Sequence, residues 1–442
     1  MQNLIRATGH RSRSHLSALS IPLLQRDGKR GFATSSGEDF SFTPAGRNHL
    51  FVPGPVNIHD DVLRAMSVQS QNHRDAWFAP FFKELLASVK PVFGTTAATP
   101  FIFPGTGTGG WEAALSNTLS PGDRVVTFRY GMFSHLWIDM MQRLGLEVEV
   151  VEGRWGDGAY EDKLADLLEK DTSKGIKAVC VVHNETATGV TSDIGRIRET
   201  LDAASHPALL MVDGVSSVGA LPFKFDDWKV DVAVTGSQKA LSLPTGLGIV
   251  AASDKALDAR SSAKLKRVYF SFDDMLKTNK NGGVPYTPIL PLLHGLKASL
   301  GLLNAEGLDN VFARHHRLAE GTRAAVAAWG LKLLCREPRW QSDTLTVVEV
   351  PEGVDSQKIV DTAFAKYNLS LGLGLAEVQG KVFRIGHLGN MDELMLAGAL
   401  GGVEMTLRDV GLPIELGSGV GAALKVWQEG TPVIPTRECL MA

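Results

Sequence analysis

The sequence predicts an α/β fold, a mostly parallel central sheet covered by helices, joined to a smaller C-terminal α+β domain. Three observations carry this. From about residue 48, short apolar runs alternate with amphipathic stretches. After residue 288 the alternation gives way to two long helical patterns. A glycine-rich turn and an isolated lysine each follow an apolar run, where ligands meet such sheets.

The strand-like runs are Thr99–Phe103, Arg124–Phe128, Glu147–Val151, Ala178–His183, Leu209–Asp213, Val230–Thr235 and Leu247–Ala251. They are short, and most are close to continuously apolar, as expected of strands buried on both faces. Helical periodicity falls between several of them, at Gly110–Leu119, Met132–Leu144, Glu161–Glu169 and Ile194–Ala203. Beyond Asn281-Gly282-Gly283-Val284-Pro285-Tyr286-Thr287-Pro288, helices are predicted at Ile289–Ala305 and Asp309–Ala328. Strand Thr344–Val350, helix Ser356–Lys366, strand Val382–Ile385 and helix Met391–Val410 complete the pattern. The expected division is a leader over 1–40, an N-terminal arm with the large domain over 41–306, and a small domain over 307–442.

A chain of 442 residues, 44% hydrophobic and 21% charged, has the balance of a globular protein with a large core. A net charge of −3 gives no electrostatic footprint for nucleic acid or an anionic membrane. No apolar run approaches the roughly 18 residues of a spanning helix. Cys180, Cys335 and Cys439 are widely spaced and odd in number, which argues against a disulfide framework. Cysteines and histidines show no ligand spacing, so no metal site is expected; adjacent His315 and His316 point different ways on a helix.

The N-terminus departs from this balance. Arg6, Arg11, Arg13, Arg26, Lys29 and Arg30 face one acid, Asp27, within the first 30 residues. Arginine- and serine-rich, acid-poor composition predicts a cleaved organelle transit peptide, the alternative being a basic tail. Arginines outnumber lysines, which favours the mitochondrion, with the chloroplast as alternative. The ending Leu440-Met441-Ala442 is not a peroxisomal tripeptide.

Four features carry candidate chemistry. Pro104-Gly105-Thr106-Gly107-Thr108-Gly109-Gly110 follows a strand and opens a helix, so its N–H groups and hydroxyls suit a phosphate. A dinucleotide fingerprint needs a carboxylate at the end of the next strand, and Asp123 precedes that strand. A tight turn is the plain alternative. Asp213 ends one apolar run, and Lys239 follows another in Thr235-Gly236-Ser237-Gln238-Lys239-Ala240-Leu241. A buried amine and an acid at one sheet edge suit pyridoxal phosphate, which needs an amine for its aldehyde and an acid for its ring nitrogen. Alone, Lys239 reads as a surface lysine and Asp213 as a cap. Arg384, flanked by Phe383 and Ile385, needs a partner for its charge: a substrate carboxylate or a structural salt bridge.

Taken together, these blocks resemble the fold-type I, class V pyridoxal-phosphate aminotransferases, among them serine–glyoxylate and alanine–glyoxylate aminotransferases. The resemblance runs from about Arg47 onward. It is carried by Phe51-Val52-Pro53-Gly54-Pro55-Val56-Asn57, Thr106–Glu112, His183-Asn184-Glu185-Thr186-Ala187-Thr188-Gly189-Val190, Val212–Ser217, the lysine string and Phe383-Arg384-Ile385-Gly386-His387-Leu388-Gly389.

The resemblance implies Lys239 as the catalytic lysine bound to the cofactor aldehyde and Asp213 as the acid at the ring nitrogen. It implies Thr106, Gly107, Thr108 and Gln238 as phosphate contacts, and Thr186 as the hydroxyl beside the phenolic oxygen. Phe133 takes the place of an aromatic stacked on the ring, often tryptophan. Arg384 is implied to bind the substrate carboxylate, with Gly54, His73 and Arg74 in the substrate-binding segments. Thr287 corresponds to a phosphate contact given by the second subunit of a homodimer. Val284 departs from the aromatic common there. The implied reaction is ping-pong transfer from a small L-amino acid, serine before alanine, to glyoxylate, as in photorespiratory metabolism. Cysteine desulfurase, phosphoserine aminotransferase and a non-catalytic protein keeping the fold are the alternatives.

Overall fold

A computed structural model of the chain describes residues 48–430. The expected transit peptide, Cys439 and the C-terminal tripeptide lie outside the described residues.

Fourteen strands and thirteen α-helices are found among the described residues. The strands are β1 (His49–Phe51), β2 (Thr99–Pro104), β3 (Arg124–Arg129), β4 (Glu147–Glu152), β5 (Ile176–Val182), β6 (Asn184–Glu185), β7 (Val190–Thr191), β8 (Leu209–Asp213), β9 (Val232–Gly236), β10 (Leu247–Ala252), β11 (Lys332–Leu333), β12 (Leu345–Glu349), β13 (Leu369–Leu373) and β14 (Val382–Gly386). The helices of the first half are α1 (Asp60–Met66), α2 (Phe78–Val89), α3 (Gly107–Thr118), α4 (Met132–Arg143), α5 (Glu161–Lys170), α6 (Ile194–Ala203), α7 (Asp254–Arg260) and α8 (Phe272–Asn279). Those of the second half are α9 (Leu290–Glu306), α10 (Leu308–Ala328), α11 (Ser356–Tyr367), α12 (Glu393–Asp409) and α13 (Ser418–Glu429).

The large sheet has seven strands in the order β2-β10-β9-β8-β5-β3-β4. β10 runs antiparallel to both β2 and β9, and the other pairings are parallel. Six strands therefore point the same way, and their carboxyl ends share one edge. β5, β8 and β9 are nearly all buried, which accounts for their unbroken apolar runs. Phe101 stacks on Phe272 with ring centroids 4.2 Å apart, fastening α8 to the sheet.

A second sheet, β1-β13-β14-β12-β11, has its own core of Phe383, Ile385, Leu396, Leu400 and Val403. Its first strand comes from the N-terminal arm: β1 pairs parallel with β13, setting Phe51 opposite Leu371. The residues after Phe51 are thereby carried toward β14. Ten elements have no counterpart in the sequence pattern: β1, β6, β7, β11, β13, α1, α2, α7, α8 and α13. β13 is only Leu369-Ser370-Leu371-Gly372-Leu373, too short to show a period.

α3 begins three residues earlier than its periodicity suggests, at Gly107. Its first turn lies directly on β10, because Gly248 presents no side chain there. A Cβ on Gly248 would sit 2.5 Å from the Thr106 carbonyl oxygen. That contact is with backbone, so the turn itself has to move. Gly248→Ala is expected to lower stability by about 1–3 kcal/mol, the usual cost of overpacking. Urea unfolding of the two proteins gives the difference, and coincident midpoints would contradict this packing.

Candidate active site

The carboxyl edge of the large sheet gathers the predicted residues. Thr106 follows β2, Phe133 lies just beyond β3, Thr186 beyond β5, Asp213 ends β8 and Lys239 follows β9. The pattern of the sequence places each at a strand end; parallel pairing makes them neighbours.

Thr106 is the N-cap of α3 and its hydroxyl accepts the Gly109 N–H at 3.3 Å. The first turn of α3 contains no acid, and Thr106 and Thr108 are exposed. A Cβ on Gly107 would lie 2.5 Å from Val215, so the glycine lets this turn approach the strand end. Gln238 lies against Gly236, and its buried side-chain oxygen has no hydrogen-bond partner among the described residues. Helix N–H groups and two hydroxyls form a cradle suited to phosphate, to which Gln238 can contribute only through its NH2 group.

Lys239 is only 8% exposed. Its ammonium donates a hydrogen bond to the Pro53 carbonyl, and it forms no salt bridge with an acid among the described residues. Burial, reinforced by the Arg384 charge, pulls its pKa down to about 8, and Asp213 opposes this. The contact with Pro53 follows from the path of the arm after β1. Gly54 is necessary there, since a Cβ would fall 2.3 Å from the Lys239 nitrogen.

Asp213 is buried, and one oxygen accepts the Val215 N–H at 2.8 Å. Burial raises its pKa to about 7, although the Val215 amide works the other way. An anion held there in want of a cation suits a protonated ring nitrogen.

Arg384 is 8% exposed on β14. Nε donates to the Leu373 carbonyl at 2.7 Å and Nη1 to the Thr186 carbonyl at 2.8 Å. No carboxylate lies within ion-pair distance of it among the described residues, so the structural salt bridge is absent. Burial lowers its pKa to about 10, still far above neutrality. The remaining N–H groups are available to grip a carboxylate.

Phe133, second residue of α4, is half-buried, and Thr186 is buried. The other predicted residues are not brought to Lys239 within this chain. His73 packs edge-on against Phe78 at 6.1 Å, while Arg74 and Thr287 are exposed. Cys335 is buried, with its thiol pushed up to about 12, so it has neither the access nor the acidity of a reactive thiol. The sequence reading gave no role to Glu185, a fully buried carboxylate in the same loop as Thr186. Its signal was faint: an acid enclosed by apolar and small residues.

The residues thus fit pyridoxal phosphate: an amine for its aldehyde, an acid for its ring and a cradle for its phosphate. Asp213 also affects the apoprotein. Its pKa rises from 3.8 unfolded to about 7 folded, so the folded state holds the proton more tightly. Stability from this group is present at low pH and lost as pH rises through that window. Asp213→Asn should therefore unfold at higher denaturant than wild-type apoprotein above pH 7, with the gap shrinking toward pH 4. A gap that stays constant with pH would contradict the assignment.

Comparison with known proteins agrees with this geometry. Residues 61–376 match the family model described as aminotransferase class-V. The serine–glyoxylate aminotransferase of Methylorubrum extorquens is 57% identical over 389 residues, 87% of this chain and 97% of that protein. The L-aspartate–glyoxylate aminotransferase of Paracoccus denitrificans is 50% identical over 385 residues, covering 87% and 97% respectively. Among solved structures, ureidoglycine–glyoxylate aminotransferase from Bacillus subtilis superposes with a TM-score of 0.81 at 27% identity, covering 88% of this chain and all (100%) of that one. The fold is the fold-type I α/β architecture and the cofactor is pyridoxal phosphate. This chain belongs to the class V aminotransferases.

Proposed function

We propose that this aminotransferase moves the amino group of a small L-amino acid, serine ahead of alanine, to glyoxylate, giving glycine and hydroxypyruvate or pyruvate. The observation that carries it is a buried amine, Lys239, set between an acid and an arginine that has no acidic partner among the described residues. The relatives that act on glyoxylate support the acceptor. Two substrates would use the site in turn, since Arg384 offers one carboxylate grip.

Pyridoxal phosphate, when bound, supplies an aldehyde for the amine and a ring that draws electrons from the substrate's α-carbon. Lys239 Nζ is the amine that would hold the cofactor's aldehyde. As a free amine it would serve as the base for the α-carbon proton, and a pKa near 8 leaves part of it neutral at physiological pH. Asp213 keeps a proton on the ring nitrogen. Arg384 fixes the α-carboxylate and so orients the C–H bond toward the base. Thr106, Thr108, Gln238 and the α3 amides would hold the phosphate, with Phe133 and Thr186 the residues that would lie beside the ring.

The basic pair His73-Arg74 supports serine as donor. Aspartate is the second reading, favoured by the Paracoccus relative. A homodimer is part of the proposal: Thr287 is exposed, and nearby Val268, Tyr269 and Ile289 leave 81%, 42% and 37% of their surfaces bare. The composition of residues 1–40 supports import into mitochondria, the chloroplast being the alternative, and a role in photorespiratory glycine supply goes with the serine donor.

A donor panel of serine, alanine, asparagine, glutamate and aspartate against glyoxylate decides the substrate. Serine should give the highest kcat/KM; absence of hydroxypyruvate would refute it, and faster aspartate turnover would favour the second reading. Lys239→Ala should lose at least about a thousandfold in turnover and no longer trap the cofactor with borohydride. Light scattering should give twice the monomer mass, against the 47.6 kDa of one chain. Residues 1–40 fused to a fluorescent protein should direct it to mitochondria, and a cytosolic signal would refute the leader.

A further inference from the structure

Glu185 takes no part in the roles above, yet it is buried more completely than Asp213, 0% against 4% exposed. One of its oxygens accepts the Ser134 N–H at 2.9 Å and the other accepts the Ala187 N–H at 3.0 Å. These amides belong to different walls of the site. Ser134 directly follows Phe133 in the first turn of α4, and lies 51 positions from Glu185 in the chain. Ala187 directly follows Thr186. A single carboxylate therefore ties the Phe133 segment to the Thr186 segment.

The surroundings are shaped for it. α4 has no acid in its own first turn, so the positive end of its dipole is met from outside by Glu185. Gly131 makes the space: a Cβ there would lie 2.2 Å from Glu185 Cγ and 2.7 Å from Oε2. The backbone of Gly131 is fully extended, so the glycine is needed for room and not for its dihedral freedom. The charge of Glu185 also favours the cationic form of Arg384 and bears on Asp213.

We propose that Glu185 is a positioning residue for this active site: its carboxylate, shared between the Ser134 and Ala187 amides, fixes Phe133 and Thr186 relative to each other. The proposal rests on the reading of those two residues as cofactor contacts. Glutamine in its place keeps one acceptor oxygen and turns an NH2 group toward a backbone N–H, so one wall is released. Aspartate keeps the charge but is one methylene too short to span both amides.

The test compares full-length wild type, Glu185→Gln, Glu185→Asp and Gly131→Ala, the last crowding the carboxylate without removing its charge. Far-ultraviolet circular dichroism reports folding. Visible circular dichroism of the cofactor band reports how firmly the ring is held, and titration gives the pyridoxal phosphate dissociation constant. All three variants should show a weaker visible band, and Glu185→Gln should bind the cofactor about tenfold less tightly, the scale of one hydrogen bond to a charged group. Wild-type band intensity and affinity in Glu185→Gln, with only a lowered unfolding midpoint, would make Glu185 a helix cap and overturn the proposal. Should Glu185→Gln fail to fold, Gly131→Ala decides on the same readouts. Wild type that binds no pyridoxal phosphate would overturn the proposed function as well, whereas a normal wild type with unaffected variants overturns this inference alone.

Discussion

The structure depends on one constraint: a mostly parallel sheet whose parallel strands deliver their carboxyl ends to the same edge. Six of the seven strands of the large sheet obey it, and β10 alone runs the other way. Because the pairing is parallel, residues separated by long crossovers become neighbours without any contact between them in sequence. Asp213 and Lys239 are joined this way, as are Phe133 and Thr186. The remaining architecture covers the two faces of this sheet, so that its edge is the place left for polar chemistry.

That edge holds groups that are expensive to bury. Lys239 and Arg384 lie in a poorly solvated space with Asp213 and Glu185, and neither cation forms a direct ion pair with an acid among the described residues. Each is met instead by backbone carbonyls: Pro53 for the lysine, Leu373 and Thr186 for the arginine. Carbonyl dipoles soften the desolvation cost without neutralising the charge. The amine is thus less basic, and the guanidinium keeps N–H groups free. A site assembled from closed ion pairs would be more stable and less able to receive an anionic substrate.

The second sheet does more than accompany the first. β1 adds the N-terminal arm to its edge, and that strand aims Pro53 and Gly54 at Lys239. β14 brings Arg384 from the same sheet. The carboxylate grip and the acceptor of the resting lysine are therefore both supplied by the smaller sheet, while the acid and phosphate cradle belong to the larger. The proposed substrate contact and the proposed cofactor contacts come from different sheets.

How much of this was legible differs by residue. The sequence by itself determined the buried strands, from apolar runs such as Leu209–Met211, and the helix-opening glycine turn at Thr106, from local steric and dipole rules. It also marked Lys239, Asp213 and Arg384 as chemical candidates, because a charge beside an apolar run is unusual on any fold. It did not determine β13, whose glycine-containing five residues gain their structure from β1 and β14. Nor did it reveal that Arg384 lacks an acidic partner among the described residues or that Glu185 bridges two walls, since both facts concern residues far apart in the chain. Only the tertiary structure decided these, because hydrogen bonds and desolvation depend on which groups meet in space, and periodicity along the chain carries no record of that.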